Sequence, residues 1–298
     1  MIATAFIQHL PKLSLHERCL LHELAGYDCG TLNASRVADL IGRRYREDWN
    51  AGEIYDQAAA EVEWLDKNGG GIIPFSSREY PELLREIYDP PFALCYRGRR
   101  PDSKAPYAAL VGTRRPNGRG ARSAYELARD LARFNVSVVS GLARGIDRQA
   151  HEGCIDGGGV TVAVLGSGVS EVGPASSRPT AERLIATGGT LFSEYSVFTQ
   201  PRRYHFPMRN RIISGMSRCC VIVQAPRRSG ALITADYALE QGREVFVHAD
   251  CFQTGVGDGG FALYEDGARA INSAGELMEE WKSQWEYSPR TLPGEQLP

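Results

Sequence analysis

Arginine is concentrated in four short segments, each of which follows a run of apolar residues. Segments 113–120, 141–148, 202–211 and 226–230 together hold eleven arginines and one acidic residue, Asp147. A guanidinium group forks onto phosphate oxygens and also stacks on flat bases. If the segments share one rim, they attract phosphates even though the chain carries a net charge of −2. The pattern predicts a site for a phosphate-bearing ligand.

Glycine and aromatic residues accompany these arginines. Glycines stand where the apolar runs turn into loops, at Gly112, Gly141, Gly145, Gly166, Gly168 and Gly230. Each of them singly is typical of any tight turn, but beside arginine they favour close approach of the backbone to phosphate. Tyr195, Tyr204 and Phe206 lie among the same segments, and rings beside arginine suit the stacking of unpaired bases. A polar helix shaped for a duplex groove is not evident, which favours a single strand.

The stretch 205–249 predicts helix, buried strand, loop, helix and buried strand. Its first strand is the apolar run 219–225, which Pro226 ends, and the second begins at 245. Between them two arginines, Ser229 and Gly230 precede a helical pattern. Backbone N–H groups at such a helix start, with guanidinium groups beside them, form an anion site.

The same alternation extends over most of the chain. Strands are predicted at 72–75, 92–96, 108–111, 136–140, 160–165, 191–195, 219–225 and 245–247. From 107 to 249 helices separate them, which indicates βαβ units, right-handed crossovers and an α/β fold with a parallel sheet and helices on both faces. In such sheets ligands bind beyond the carboxyl ends of the strands. The arginine segments follow those ends.

Three further patterns have two interpretations each. Asp147 and His151, four residues apart, could form a catalytic pair, but a helix-start acid with a packed or exposed histidine is favoured. Glu194 could be a general acid or base, but a salt bridge that orders the arginines is favoured. The run 166–168 is a fragment of a dinucleotide fingerprint that lacks its third glycine, and the signal is weak.

Composition excludes several classes of protein. The seven cysteines are scattered and contain no CxxC pair, which favours a reduced, cytoplasmic protein over a disulfide scaffold or a zinc site. No Walker A loop, Ser/His/Asp set or metal-ligand spacing is evident, so no catalytic residue, metal or cofactor is expected. No apolar run approaches the length of a membrane span.

Taken in order, these motifs resemble the DprA/Smf family of bacterial DNA-processing proteins. The matching segments are 110–114, 138–147 with Ala150 and His151, 164–166, 193–195, 206–215, 229–235 and 242–246. The likeness covers about residues 80–277. It implies an extended Rossmann-like sheet that binds single-stranded DNA, protects incoming strands, loads the RecA recombinase in natural transformation, and forms a homodimer rather than acting as an enzyme.

The resemblance also carries individual positions. Arg114 matches the arginine of the family's Gly-Ser-Arg motif, which contacts phosphate, and Thr113 replaces its serine. Arg203 stands where a DNA-binding lysine is frequent, Phe206 where a ring meets a base, and Arg178 near a second basic position. The expected nucleic-acid-binding residues are Gly112, Thr113, Arg114, Ser140, Gly141, Arg144, Gly145, Arg178, Arg203, Phe206, Arg209, Asn210, Arg211, Ser229, Gly230 and Thr234.

Four regions are expected along the chain. Residues 1–68 form a small helical domain in the place of the family's sterile-alpha-motif-like or helix-hairpin-helix domain, for which packing is the favoured role. Residues 69–106 are a connector with the first elements of the extended sheet, and 107–280 form the Rossmann-like domain. Segment 255–260 is predicted to be a flexible loop, with short helices at 262–266 and 275–285. Residues 281–298 are a tail, too short for a winged-helix domain.

Two departures from the family pattern stand near the site. Gly173, Pro174 and Ser177 replace a usual Tyr-Pro and Asn, and 248–250 replaces a usual Pro-Gly. Two other functions remain open on the sequence. One is a nucleoside-monophosphate hydrolase that uses Glu194, and the other is a nucleotide sensor.

Overall fold

A computed structural model describes residues 1–25, 28–252 and 255–281. The strands of its sheet are β1 (Gly70–Pro74), β2 (Ala93–Gly98), β3 (Tyr107–Val111), β4 (Ser137–Ser140), β5 (Thr161–Val164), β6 (Thr190–Ser193), β7 (Cys219–Ile222), β8 (Glu244–His248) and β9 (Arg269–Ile271). The α-helices of the described residues are α1 (Ile2–His9), α2 (Leu15–Ala25), α3 (Ala34–Ile41), α4 (Ala51–Lys67), α5 (Glu82–Arg85), α6 (Gly118–Arg133), α7 (Ile146–Asp156), α8 (Arg178–Ala186), α9 (His205–Gly215), α10 (Gly230–Glu240), α11 (Asp258–Glu265) and α12 (Ala274–Trp281).

The strands form one mixed sheet in the order β1-β2-β6-β5-β4-β3-β7-β8-β9. Strands β3 to β9 pair in parallel, whereas β1 and β2 join antiparallel at one edge. The chain moves from β3 towards β6 in one direction and from β7 towards β9 in the other. The reversal leaves a crevice between the carboxyl ends of β3 and β7, where ligands of such sheets bind.

Alternate side chains of each strand enter cores on opposite faces of the sheet. Along β3, Ala108 and Leu110 join a cluster with α6 and α7, while Ala109 and Val111 join a cluster with α9 and α10. Continuous apolar runs such as that of β7 follow from this burial on both faces. The predicted α/β architecture, with helices on both faces of an extended Rossmann-like sheet, is confirmed.

The N-terminal helices share a core with the edge of this sheet. Phe6 of α1 and Leu65 of α4 belong to one buried cluster that also contains Ile72 of β1 and Cys95 of β2. Helix α4 ends at Lys67, one residue before the expected boundary. The helical part of the chain therefore packs on the sheet, and the division into four regions stays a prediction.

Several predicted boundaries are wrong. Strand β6 ends at Ser193 because its hydroxyl accepts a hydrogen bond from the backbone N–H of Tyr195, 3.0 Å away, and bends the chain. Strand β7 ends at Ile222, three residues before the predicted end, although the Gln224 carbonyl still accepts a hydrogen bond from the backbone N–H of Thr113, just after β3.

The C-terminal region also differs from expectation. Helix α11 begins inside the predicted loop 255–260, β9 was not predicted, and the tail from 282 onward lies outside the described residues. All seven cysteines are free thiols. Within residues 1–25, 28–252 and 255–281, no helix is both long and apolar enough to cross a lipid bilayer.

Candidate functional site

A cavity of about 570 Å³ lies at the crevice between β3 and β7. The loop after β3, the start of α7 and the first turns of α9 and α10 form its walls. Its lining residues are Val111, Gly112, Arg114, Ala143, Asp147, Arg203, Phe206, Pro207, Arg209, Asn210, Ile213, Ser229, Gly230, Ala231, Ile233 and Thr234. The cavity therefore lies beyond the carboxyl ends of the strands, where the sequence predicted a ligand site.

The structure brings nine of the sixteen expected residues together in this lining. They are Gly112, Arg114, Arg203, Phe206, Arg209, Asn210, Ser229, Gly230 and Thr234. The other seven lie outside the lining: Thr113, Ser140, Gly141, Arg144, Gly145, Arg178 and Arg211. A role for any of the sixteen in binding nucleic acid stays a prediction.

Arg114 and Phe206 face each other across the cavity. The guanidinium carbon of Arg114 lies 5.9 Å from the centre of the Phe206 ring, within range of a cation–π interaction. Arg114 is exposed, and Phe206 is partly buried against Gly166. The pair offers a flat apolar surface and a phosphate fork at one place.

The loop that carries Arg114 is fixed by its neighbours. The backbone N–H of Thr113 donates to the Gln224 carbonyl at 2.7 Å, and the Thr113 hydroxyl accepts from the N–H of Arg115 at 3.2 Å. Gly145 adopts φ +85° at the start of α7, and a Cβ there would lie 2.4 Å from the Thr113 carbonyl oxygen. Glycine therefore lets the helix start close against this loop.

Arg209 forms the floor of the cavity rather than part of an exposed rim. Its Nη1 donates to the Gly141 carbonyl at 2.9 Å and also to the Val164 carbonyl, so it ties the ends of β4 and β5 together. The residue is buried, and burial lowers the pKa of its guanidinium to about 10 although Asp147 opposes the shift. A Cβ on Gly141 would lie 2.7 Å from both Arg209 Nη2 and Asp147 Oδ2.

Asp147 also lines the cavity, although it was not among the expected nucleic-acid-binding residues. Burial raises the pKa of its carboxyl group, while Arg209 and the N–H groups of Ala143 and Gly141 act in the opposite direction. Its Oδ2 accepts from the Ala143 N–H at 3.3 Å. The position near the start of α7 was visible in the sequence, but its approach to Arg209 depends on the fold.

His151 is packed, which is one of the two placements, packed or exposed, that the sequence favoured over catalysis. The ring is buried, and Nδ1 lies 2.7 Å from the Thr161 hydroxyl. Burial, with the charge of Arg209, lowers the pKa of His151 to about 3. This environment does not support a catalytic pair with Asp147, because the imidazole stays neutral and enclosed.

Arg211 is held by Glu194, and the predicted salt bridge of Glu194 is confirmed. Both Glu194 oxygens accept from Arg211, at 2.8 and 2.6 Å, and Asp89 accepts at 3.3 Å. Burial lowers the pKa of Arg211, but the two carboxylates more than offset this effect and raise it overall. Of the eleven arginines expected on one rim, Arg209 and Arg211 are buried.

The other nine strand-end arginines are exposed. They are Arg114, Arg115, Arg119, Arg144, Arg148, Arg202, Arg203, Arg227 and Arg228. Arg144 donates to the Ser176 hydroxyl at 2.9 Å, and Arg178 donates to the Val172 carbonyl at 3.4 Å. Both contacts are with the loop that follows β5.

Polar residues inside the walls position α9 and α10. Asn210 donates to the Gly230 carbonyl at 3.3 Å, and the Ser229 hydroxyl accepts from the Ala231 N–H at 3.3 Å. Ser140 is buried below the cavity and donates to the Leu110 carbonyl at 2.6 Å.

The part of the lining that α9 contributes follows the helical spacing of its sequence. Phe206, Arg209, Asn210 and Ile213 lie on one face of α9, with separations of three and four residues. Ile233 of α10 completes the wall opposite. Hydrophobic periodicity alone did not separate these residues from the core.

The fold and cavity place the chain in the class of Rossmann-like proteins that hold ligands at a topological switch point. Residues 71–282 match the family model of DNA recombination-mediator protein A. The chain belongs to this family, the DprA/Smf family, as its motifs indicated.

Named relatives agree with this membership. The DNA processing protein DprA of Bacillus subtilis is 40% identical over 215 residues, which cover 72% of each chain. The crystal structure of DprA from Streptococcus pneumoniae superimposes with a TM-score of 0.73 at 30% identity, over 97% of this chain and 99% of that one. A structure of DNA processing protein A from Helicobacter pylori, described for its single-stranded DNA binding mode, has a TM-score of 0.62 at 27% identity, over 69% and 94%.

Proposed function

We propose that this protein binds single-stranded DNA in the cavity between β3 and β7. The observation that carries the proposal is the pairing of Arg114 with Phe206 beside the exposed Arg203. A ring close to guanidinium groups suits an unpaired base and its phosphates. Family membership and the single-stranded DNA binding of the H. pylori relative support the same ligand.

The finer role proposed is that of a recombination mediator in the cytoplasm. The protein would act without catalysis, as a homodimer that protects incoming strands and loads RecA onto them during natural transformation. The description of the family as recombination mediators supports this role. The nine exposed arginines support the DNA step, because backbone phosphates are neutralised without regard to sequence.

The hydrolase alternative has less support. Its proposed acid or base, Glu194, has both oxygens bound to Arg211 and lies outside the cavity lining. Release of free base from a nucleoside monophosphate, lost in Glu194→Gln, would establish that alternative.

The deciding experiment compares a fluorescent poly-dT oligonucleotide with the matched duplex and with mononucleotides. Binding is measured by anisotropy from about 50 to 200 mM salt, a range that resolves phosphate contacts. We expect tight binding to the single strand with a steep salt dependence, and weak binding to the other two. Stronger binding to mononucleotides than to poly-dT would overturn the proposal in favour of a nucleotide sensor.

A further inference from the structure

The ring of Tyr204 stands exposed at the margin of the cavity. Tyr204 precedes the first turn of α9, and 58% of its surface is accessible. Its neighbours Arg203 and Phe206 both line the cavity, whereas Tyr204 lies outside the lining. A strand that leaves the cavity on this side must pass the ring.

The ring is held in place although it is exposed. It meets His205 edge-on, with ring centres 4.6 Å apart and an interplanar angle of 81°. The Tyr204 hydroxyl accepts a hydrogen bond from Arg202 Nη1 at 3.1 Å. A ring that is already ordered loses little entropy when a ligand stacks on it.

The support beneath Tyr204 is buried. His205 stacks on Tyr195 at 4.0 Å with an interplanar angle of 23°, and its Nδ1 lies 3.2 Å from the Gly166 carbonyl oxygen. Gly166 follows the end of β5, so the aromatic stack is anchored to the sheet. The position of Tyr204 is therefore fixed relative to the cavity wall.

Two cationic groups directly precede the ring along the chain. Arg202 and Arg203 are exposed, and Arg203 reaches the cavity. A base stacked on Tyr204 would therefore have two guanidinium groups available for its neighbouring phosphates, one of them at the cavity. Phosphate contact beside a ring is the arrangement by which proteins hold unpaired bases.

Resting on the proposed function, we infer that Tyr204 is a second stacking platform, which holds the base of the nucleotide next to the one in the cavity. The ligand is a pyrimidine or purine of a continuous single strand. No preference among bases is expected, because each has a π face.

The test combines Tyr204→Leu, Tyr204→Phe and a control, Tyr55→Leu, whose exposed ring lies on α4. Oligo-dT of about 4 to 16 nucleotides spans the usual single-strand site sizes. We expect Tyr204→Leu to weaken binding of the longer strands about fivefold, with the smallest effect on the shortest strand. Tyr204→Phe, which keeps the ring, and Tyr55→Leu should bind like wild type.

A second readout separates stacking from indirect damage. A single 2-aminopurine moved along the strand should be quenched at one position by stacking, and Tyr204→Leu should restore its fluorescence there. Wild-type affinity of Tyr204→Leu at all lengths, or an equal loss at every length without change in fluorescence, would overturn the inference. If Arg114→Ala loses affinity while Tyr204→Leu does not, this inference alone fails. If wild type binds no single strand, the proposed function fails with it.

Discussion

Both carboxylate oxygens of Glu194 accept hydrogen bonds from the guanidinium group of Arg211, at 2.8 and 2.6 Å. The side chains are only 16% and 8% exposed. Glu194 follows β6 and Arg211 belongs to α9. The pair therefore fixes α9, the helix that carries Phe206, against the sheet. On the other side Gln8 of α1 donates to the Glu194 carbonyl at 2.7 Å. The N-terminal helices therefore contact the residue that holds the cavity wall.

Glu194→Ala is expected to lower the free energy of unfolding by about 3 kcal/mol, since it leaves the buried Arg211 charge without its main partner. Urea denaturation followed by circular dichroism measures the change. The control is Glu182→Ala, which removes an ion pair with Arg97 whose carboxylate side chain is 61% exposed. That pair should contribute less than about 1 kcal/mol. Equal losses in the two variants would contradict the structural role given to Glu194.

Arg114→Ala should weaken binding of single strands of any sequence and lower the salt slope by about 0.7, the value for one neutralised phosphate. Anisotropy titrations against salt concentration measure both. Arg133→Ala removes the same charge from an exposed side chain at the end of α6. This helix runs from the carboxyl end of β3 back to the amino-terminal ends of the strands, away from the cavity. That control should keep the slope and affinity of wild type. Identical curves for the two variants would mean that net charge, and not the cavity, governs binding.

Gly141→Ala should distort the cavity floor. The new methyl group would crowd Arg209 and Asp147, and overpacking of this kind costs about 1–3 kcal/mol. The matched control is Gly118→Ala in the first turn of α6, where a Cβ meets no atom within 4 Å. This substitution should stabilise the folded protein by up to about 1 kcal/mol. Thermal melts rank the two variants. Oligonucleotide affinity should fall in Gly141→Ala alone, and a Gly141→Ala protein as stable as wild type would contradict the packing described for Arg209.

His151 should make the protein less stable in acid. Its folded-state pKa of about 3 lies below the ordinary value of 6.5. Between pH 6.5 and pH 3 the unfolded chain therefore binds a proton that the folded protein excludes. Stability is complete above pH 6.5 and falls towards pH 3, by about 1.4 kcal/mol per pH unit. Urea unfolding of wild type and His151→Gln should show the difference between them shrink by about 2 kcal/mol from pH 6.5 to 5. A constant difference would mean that His151 takes up its proton as readily in the folded protein as in the unfolded chain. Both proteins share the opposing effect of Asp147, which cancels in the comparison.

The sequence predicted the elements of the sheet better than the ends of the strands. Apolar runs such as that of β7 identify strands because both faces are buried. The end of a strand can depend on a local bend, such as that made by the hydrogen bond from the Tyr195 N–H to the Ser193 hydroxyl, which an apolar run does not indicate. Strand β9 spans three residues and has an exposed first residue, so no apolar run indicated it.

The site was predictable in its location and only partly in its members. Glycine and arginine after the strands indicated the edge of the sheet, and Arg114, Phe206 and Ser229 lie in the cavity as residue type suggested. Whether an arginine stands on the rim or in the floor depends on where its helix docks. Local sequence does not report this, and Arg209 is buried for that reason.

The position of the cavity at the reversal of strand order has a consequence for how the molecule could be divided. Arg114 belongs to the half of the chain that turns towards β6, and Ser229 and Gly230 belong to the half that turns towards β9. The halves meet where Val223 donates its N–H to the Val111 carbonyl at 3.1 Å. Neither half alone has a complete site. Two separately expressed fragments would recover affinity for a ligand only by reassembling across β3 and β7, so ligand binding would serve as a reporter of their complementation.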